Sequence, residues 1–102
     1  MTSPGDQLAE LRLAIDEIDD RFVKILAERF EVTREVGQLK ADLGMPAIDA
    51  TRESQIDDKA RRLAADNGLD ADLVSQVLRS IIDRVVAEHR TIAEGAPTNG
   101  DN

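Results

Sequence analysis

The chain contains no cysteine, no tryptophan and no tyrosine, and only two phenylalanines in 102 residues. Without thiols there is no disulfide, no thiolate metal site and no cysteine nucleophile. Without aromatics the core must come from Leu, Ile, Val and Ala, which favours packed helices over a sandwich or a barrel. A single histidine would leave a metal centre to carboxylates, so none is expected. No apolar run approaches the ~18 residues of a membrane span. The opening MTSPGDQ lacks the basic and apolar regions of a signal peptide, so a cytoplasmic protein is expected. Basic residues are also scarce: 13 Lys and Arg stand against 21 Asp and Glu, for a net charge of −8. That excludes the basic face of a nucleic-acid binder. An acidic chain that gathers its few cations in one place does so for an anion.

What is present is helical periodicity in an all-α chain. Residues 1–7 and 94–102 are polar and rich in Gly, Pro and Asn, and read as disordered tails around a domain at 8–93. Two punctuation marks, LGMPAID and DNGLD, divide the domain into three helices. The first runs from about residue 7 to 43. Its seam is Leu8, Leu11, Ile15, Ile18, Phe22, Ile25, Arg29, Val32, Val36, Leu39 and Leu43, spaced alternately by three and four. Arg29 is its one non-apolar member. The second helix starts near Asp49 as N-cap and carries Ile56, Ala60, Leu63 and Ala64 on one face. The third starts at Asp70. It is expected to bury Leu73, Val74, Val77, Leu78, Ile81, Ile82, Val85 and Val86, with the face continuing through His89.

A first helix of roughly 36 residues spans ~54 Å, whereas a domain of this size has a radius of gyration of only ~13 Å. Two shorter helices of the same chain cannot cover such a seam. An intertwined homodimer is therefore expected; the alternative is a monomer whose first helix breaks near Gly37.

The cations have a pattern. Arg29 and Lys40 lie close to three turns apart, so they project from nearly the same side of the first helix. Arg12 flanks the seam beside Leu11, where it could face a pocket belonging mostly to a partner chain. In DATRES, Asp49, Arg52 and Glu53 share a face, which holds the Arg between two carboxylates. Each feature has a plain structural reading as well. Arg29 could set coiled-coil register, Lys40 could snorkel, and DATRES could be a capped first turn. Together, Arg12, Arg29, Lys40 and Arg52 describe a basic pocket, and burying such charges without an anion is costly.

The run LRLAIDEIDDRFVKILAERFEVTREVGQLK, followed by DATRE, resembles the all-helical class of chorismate mutases over residues 8 to 92. The resemblance implies a three-helix protomer in a domain-swapped homodimer with two active sites, chorismate as substrate and no cofactor. It implies that Arg12 reaches into the partner's site and that Arg12, Arg29 and Arg52 hold the substrate carboxylates. Lys40 donates to the ether oxygen and to a carboxylate. Asp49 and Glu53 bond the substrate hydroxyl or support the arginines. On the third helix, Val85 stands where members often have a small hydroxyl residue, and His89 where they usually have Gln or Glu facing the ether oxygen. Some members rely on a partner enzyme of the same pathway.

The implied reaction, chorismate to prephenate, is a unimolecular pericyclic step on the route to phenylalanine and tyrosine. It needs no nucleophile, metal or redox group, in keeping with this composition. It needs a flexible dianion folded into its reactive conformer. It also needs donors at the ether oxygen, where negative charge gathers as the C–O bond breaks; each is worth ~3–4 kcal/mol by analogy with oxyanion-hole donors. Lys40 and His89 are the expected donors, with Arg29 beside them. For His89 the competing assignment is a half-buried helix-end imidazole with a structural hydrogen bond. Two other functions fit parts of the pattern: an isochorismate-pyruvate lyase on the same scaffold, and a non-catalytic dimeric helical interaction module.

Overall fold

A computed structural model describes residues 3–95. It holds three helices and, among the described residues, no strand: α1 (Pro4–Asp42), α2 (Ala50–Asp66) and α3 (Ala71–Ala93). The all-helical expectation holds. Helix α1 is helical on both sides of Gly37, so the break considered there does not occur.

The helix ends follow from local chemistry. The Ser3 hydroxyl accepts the Asp6 N–H at 3.1 Å, and Pro4 occupies the first helical position, where a missing N–H costs nothing. Residues 4–7, expected to be part of a tail, are therefore helical. At the other end Glu94 and Gly95 form a turn; residues 1–2 and 96–102 of the expected tails lie outside the described residues. Helix α1 closes with Gly44 at φ 67°, the Met45 N–H on the Lys40 carbonyl at 2.8 Å and the Gly44 N–H on Ala41 at 3.2 Å. Gly68, at φ 70°, closes α2 in the same way, with Leu69 N–H on the Ala64 carbonyl at 2.8 Å. Both are left-handed caps that only glycine adopts without strain. Asp49 and Asp70 are the N-caps of α2 and α3.

The chain divides into two units, Met1–Val32 and Thr33–Asn102. The first is a single helical stretch from Pro4 on. Its apolar seam is uncovered: Leu8, Leu11, Ile15, Ile18, Phe22 and Ile25 are all exposed, Leu11 by 63% and Ile25 by 64%. Only Leu26, Arg29 and Phe30 are half-buried there.

In the second unit α2 and α3 pack as a hairpin. Ala60 and Ala64 are buried against a face of α3 whose most covered aliphatic residue is Ile82. Small alanines let the two backbones approach, and the contact covers a narrow stripe of each helix. Val74, Leu78, Ile81, Val85 and Val86 are half-buried, as is Ile56 on α2. Leu63, Leu73 and Val77, expected inside, are exposed, because a two-helix contact is narrower than the apolar faces themselves. Polar contacts lace the margin. Arg61 bonds Asp57 at 3.1 Å, Asp72 at 3.0 Å and the Ser75 hydroxyl at 3.3 Å, while that hydroxyl donates to Asp57. The Ser75 hydrogen bond, then that of Arg61, holds the Asp57 carboxyl below the usual carboxylate range.

Candidate active site

Of the 13 Lys and Arg in the chain, only Arg29 and Lys40 are not exposed. Neither makes an ion pair among the described residues. The cations that are tied to carboxylates, Arg34, Arg61 and Arg79, all lie at the surface. Partly desolvated cations without counter-ions are what an anion site requires.

In the first unit, Arg12 is exposed and Arg29 half-buried on α1. In the second unit, Lys40 sits in the last turn of α1, where the helix dipole favours a cation. Its Nζ donates to the Ala47 carbonyl at 3.3 Å, which anchors the ammonium beside the loop that leads into α2 and leaves two of its donors.

The first turn of α2 differs from the expected carboxylate–Arg–carboxylate arrangement. Asp49 caps the helix, with its Oδ1 accepting the Arg52 N–H at 3.0 Å. Glu53 reaches across to α3, where Arg79 Nη2 donates to its Oε1 at 2.7 Å. The Arg52 guanidinium is exposed and has no ion pair among the described residues. A residue at i+1 points ~100° away on a helix, so Glu53 faces α3 while Arg52 does not. Arg79 is the residue that sequence reasoning missed. The one available signal was its position three residues before Ile82, which puts it at the margin of the packed stripe.

Val85 and His89 lie one turn apart on α3, Val85 half-buried and His89 only 4% exposed. The imidazole packs directly on α1 at Gly37. A Cβ there would lie 2.5 Å from His89 Cδ2 and 3.0 Å from Nε2, so only glycine fits beneath the ring. His89 Nε2 is 2.7 Å from the Thr33 carbonyl. A carbonyl only accepts, so Nε2 carries the proton. Nε2 thus makes the structural hydrogen bond weighed as the competing assignment. Nδ1 is buried and has no hydrogen-bond partner among the described residues. It is an acceptor in the neutral ring and a donor in the imidazolium.

Among the described residues no group of three His, Cys, Asp or Glu is arranged to hold a metal ion, and no helix is long and apolar enough to cross a membrane. Within each unit the candidate residues lie on helices, with Arg12 and Arg29 in the first and Lys40, Asp49, Arg52, Glu53, Val85 and His89 in the second.

Comparison with known proteins places the chain in a family. The chorismate mutase type II family matches residues 11–90. The chain is 35% identical over 78 residues to a chorismate mutase of Methanocaldococcus jannaschii, across 76% of this chain and 79% of that protein. It is 34% identical over 76 residues to the T-protein of Enterobacter agglomerans, of which it spans 20%. It is 31% identical over 94 residues to the bifunctional chorismate mutase/prephenate dehydratase of Escherichia coli K12, of which it spans 24%. The chain belongs to the chorismate mutase type II family, all-helical enzymes that isomerise chorismate to prephenate in aromatic amino acid biosynthesis.

Proposed function

We propose that the chain rearranges chorismate to prephenate by electrostatic positioning, with Arg12, Arg29 and Arg52 gripping the two substrate carboxylates. Lys40 and His89 face the ether oxygen, Asp49 and Glu53 serve the substrate hydroxyl, and Val85 lines the wall beside His89. The observation that carries this reading is that Arg29 and Lys40 alone among the Lys and Arg residues are withdrawn from solvent, and both lack a carboxylate partner among the described residues. The family match over residues 11–90 supports it, since it contains all eight positions.

The chemistry follows from the groups. Guanidinium forks bind carboxylates through paired, charge-assisted hydrogen bonds, which fix both position and orientation. Holding the enolpyruvyl side chain over the ring removes most of the conformational freedom the substrate has in water. As the C–O bond lengthens, the ether oxygen becomes more negative, and the Lys40 ammonium stabilises that state more than the ground state. His89 adds a second donor through Nδ1 when its ring is doubly protonated, with Nε2 remaining on Thr33.

The working unit in this proposal is a homodimer in the cytoplasm, with Arg12 supplied to the partner's site. The uncovered seam of the first unit supports the dimer. Six large apolar residues in register along one helix form a patch that a second copy would cover.

The test is direct. Purified protein incubated with chorismate should yield prephenate without added metal or cofactor, and sedimentation should show a dimer. Chorismate left unchanged at a rate equal to buffer alone would reject the assignment of function.

A further inference from the structure

We infer that Arg79 is a positioning residue for the substrate-binding carboxylate: through its 2.7 Å bond to Glu53 Oε1 it fixes that side chain and leaves Oε2 to the substrate hydroxyl. The inference rests on the proposal that Glu53 belongs to the site.

Glu53 stands in the first turn of α2 and retains 22% of its side-chain exposure. A glutamate there has three side-chain torsions to order, and its nearest intrahelical cation, Arg52, is at i−1 and points elsewhere. Arg79 supplies the missing constraint from the neighbouring helix. Asp83, one turn further along α3, takes the Arg79 Nε at 3.3 Å and so orients the guanidinium in turn. The result is a relay from Asp83 to Arg79 to Glu53 along the α2–α3 margin, beside a cleft of about 50 Å³ lined by Glu53, Ile56 and Ile82 among others.

Two consequences follow for binding. First, a carboxylate with one oxygen engaged by a guanidinium keeps acceptor capacity on the other oxygen, which is what a hydroxyl donor needs. Second, with Glu53 committed to Arg79, the acidic partner nearest to Arg52 in sequence does not neutralise it. Arg52 therefore keeps its full charge for a substrate carboxylate. Arg79 touches no substrate in this scheme; it acts through Glu53.

The experiment is a double-mutant cycle read by steady-state kinetics, with thermal unfolding as a control. Arg79→Leu should raise the KM for chorismate about fivefold and change kcat less than twofold, the pattern of lost uniform binding. Arg79→Lys, which keeps a cationic donor, should recover a KM within about twofold of the parent. In the Glu53→Gln background Arg79→Leu should raise KM no further, because the group it positions is already altered. An unchanged KM in Arg79→Leu, or an equal rise with and without Glu53, would overturn the inference while leaving Glu53 in the site. An unchanged KM in Glu53→Gln alone would remove Glu53 from the site and the inference with it. A drop in Tm with no change in KM would assign Arg79 to the packing of the hairpin only, and would likewise overturn it.

Discussion

Replacing Gly37 with alanine pits a local gain against a tertiary loss, and the structure decides between them. In an isolated helix Gly→Ala is stabilising, by about 1 kcal/mol. Here the new methyl would sit 2.5 Å from His89 Cδ2 and 3.0 Å from both His89 Nε2 and Ile92 Cδ1. The Ile92 methyl is the end of a flexible side chain and can turn away. The imidazole cannot, because it is 4% exposed and bound to Thr33 through Nε2 at 2.7 Å. Moving the ring strands a buried N–H, at a cost of about 1–3 kcal/mol, and overpacks its surroundings, at about 1–3 kcal/mol more. Against the propensity gain, the net is a destabilisation of about 1–5 kcal/mol.

Thermal unfolding measures it. For a chain of this size each kcal/mol moves Tm by roughly 4–8 °C, so Gly37→Ala should lower Tm by at least ~4 °C. The comparison must hold protein concentration fixed, since association shifts apparent stability. The decisive partner is His89→Ala. With the ring gone the methyl at position 37 has room, and Gly37→Ala in that background should raise Tm. A Tm that is unchanged or raised by Gly37→Ala in the parent protein would refute the packing of His89 on Gly37.

Arg29→Leu restores an apolar residue to the α1 seam and should abolish turnover while leaving Tm unchanged or higher; an active Arg29→Leu enzyme would remove Arg29 from the site. His89→Gln keeps a side-chain donor and should retain much of kcat, whereas His89→Ala should lose about 100-fold, the scale for one fixed donor at a developing oxyanion; equal kcat in the two variants would exclude a donor role. Ile18→Glu, in the middle of the uncovered seam, should give a species of half the mass by sedimentation, together with loss of activity. Asp57 has a folded-state pKa below its ordinary 3.8, so its contribution to stability is present above that value and lost as pH falls through the folded one. The Tm difference between parent and Asp57→Asn should therefore be largest near neutrality and shrink on acidification below the carboxylate range.

The helices were legible because their ends carry chemistry that acts within a turn. Asp49 and Asp70 cap, and Gly44 and Gly68 close, where the sequence places them. The start of α1 is less legible, because Pro and Gly in a polar stretch also fit a tail. Ser3 followed by Pro4 is in fact an N-cap followed by a first helical residue. Burial on α2 and α3 was overstated at Leu63, Leu73 and Val77 because periodicity gives the width of an apolar face, not the width of the contact that covers it. The residues proposed for the site were named from their motif. Their partners were not: Arg79 bonds Glu53 across 26 residues and His89 bonds Thr33 across 56, and no local spacing encodes either pairing.

The distribution of charge explains why the seam tolerates Arg29. With 21 acidic side chains the sequence had ample means to neutralise its cations, and it does so at the surface, where Arg61 and Arg79 each hold two carboxylates. Such exposed pairs contribute little to stability. The cations with most to gain from a counter-ion, Arg29 and Lys40, have none among the described residues. Scarcity of acid does not account for that; in the proposed site an internal carboxylate would compete with the substrate dianion. The cost is a fold less stable when empty than when loaded. Thermal shift with a non-reacting dicarboxylate analogue should expose the difference: Tm should rise with ligand in the parent and stay fixed in Arg29→Leu, while the empty variant melts no lower than the empty parent. A parent that melts at the same temperature with and without saturating analogue would mean that its half-buried cations are already satisfied, and the argument from unpaired charge would fail.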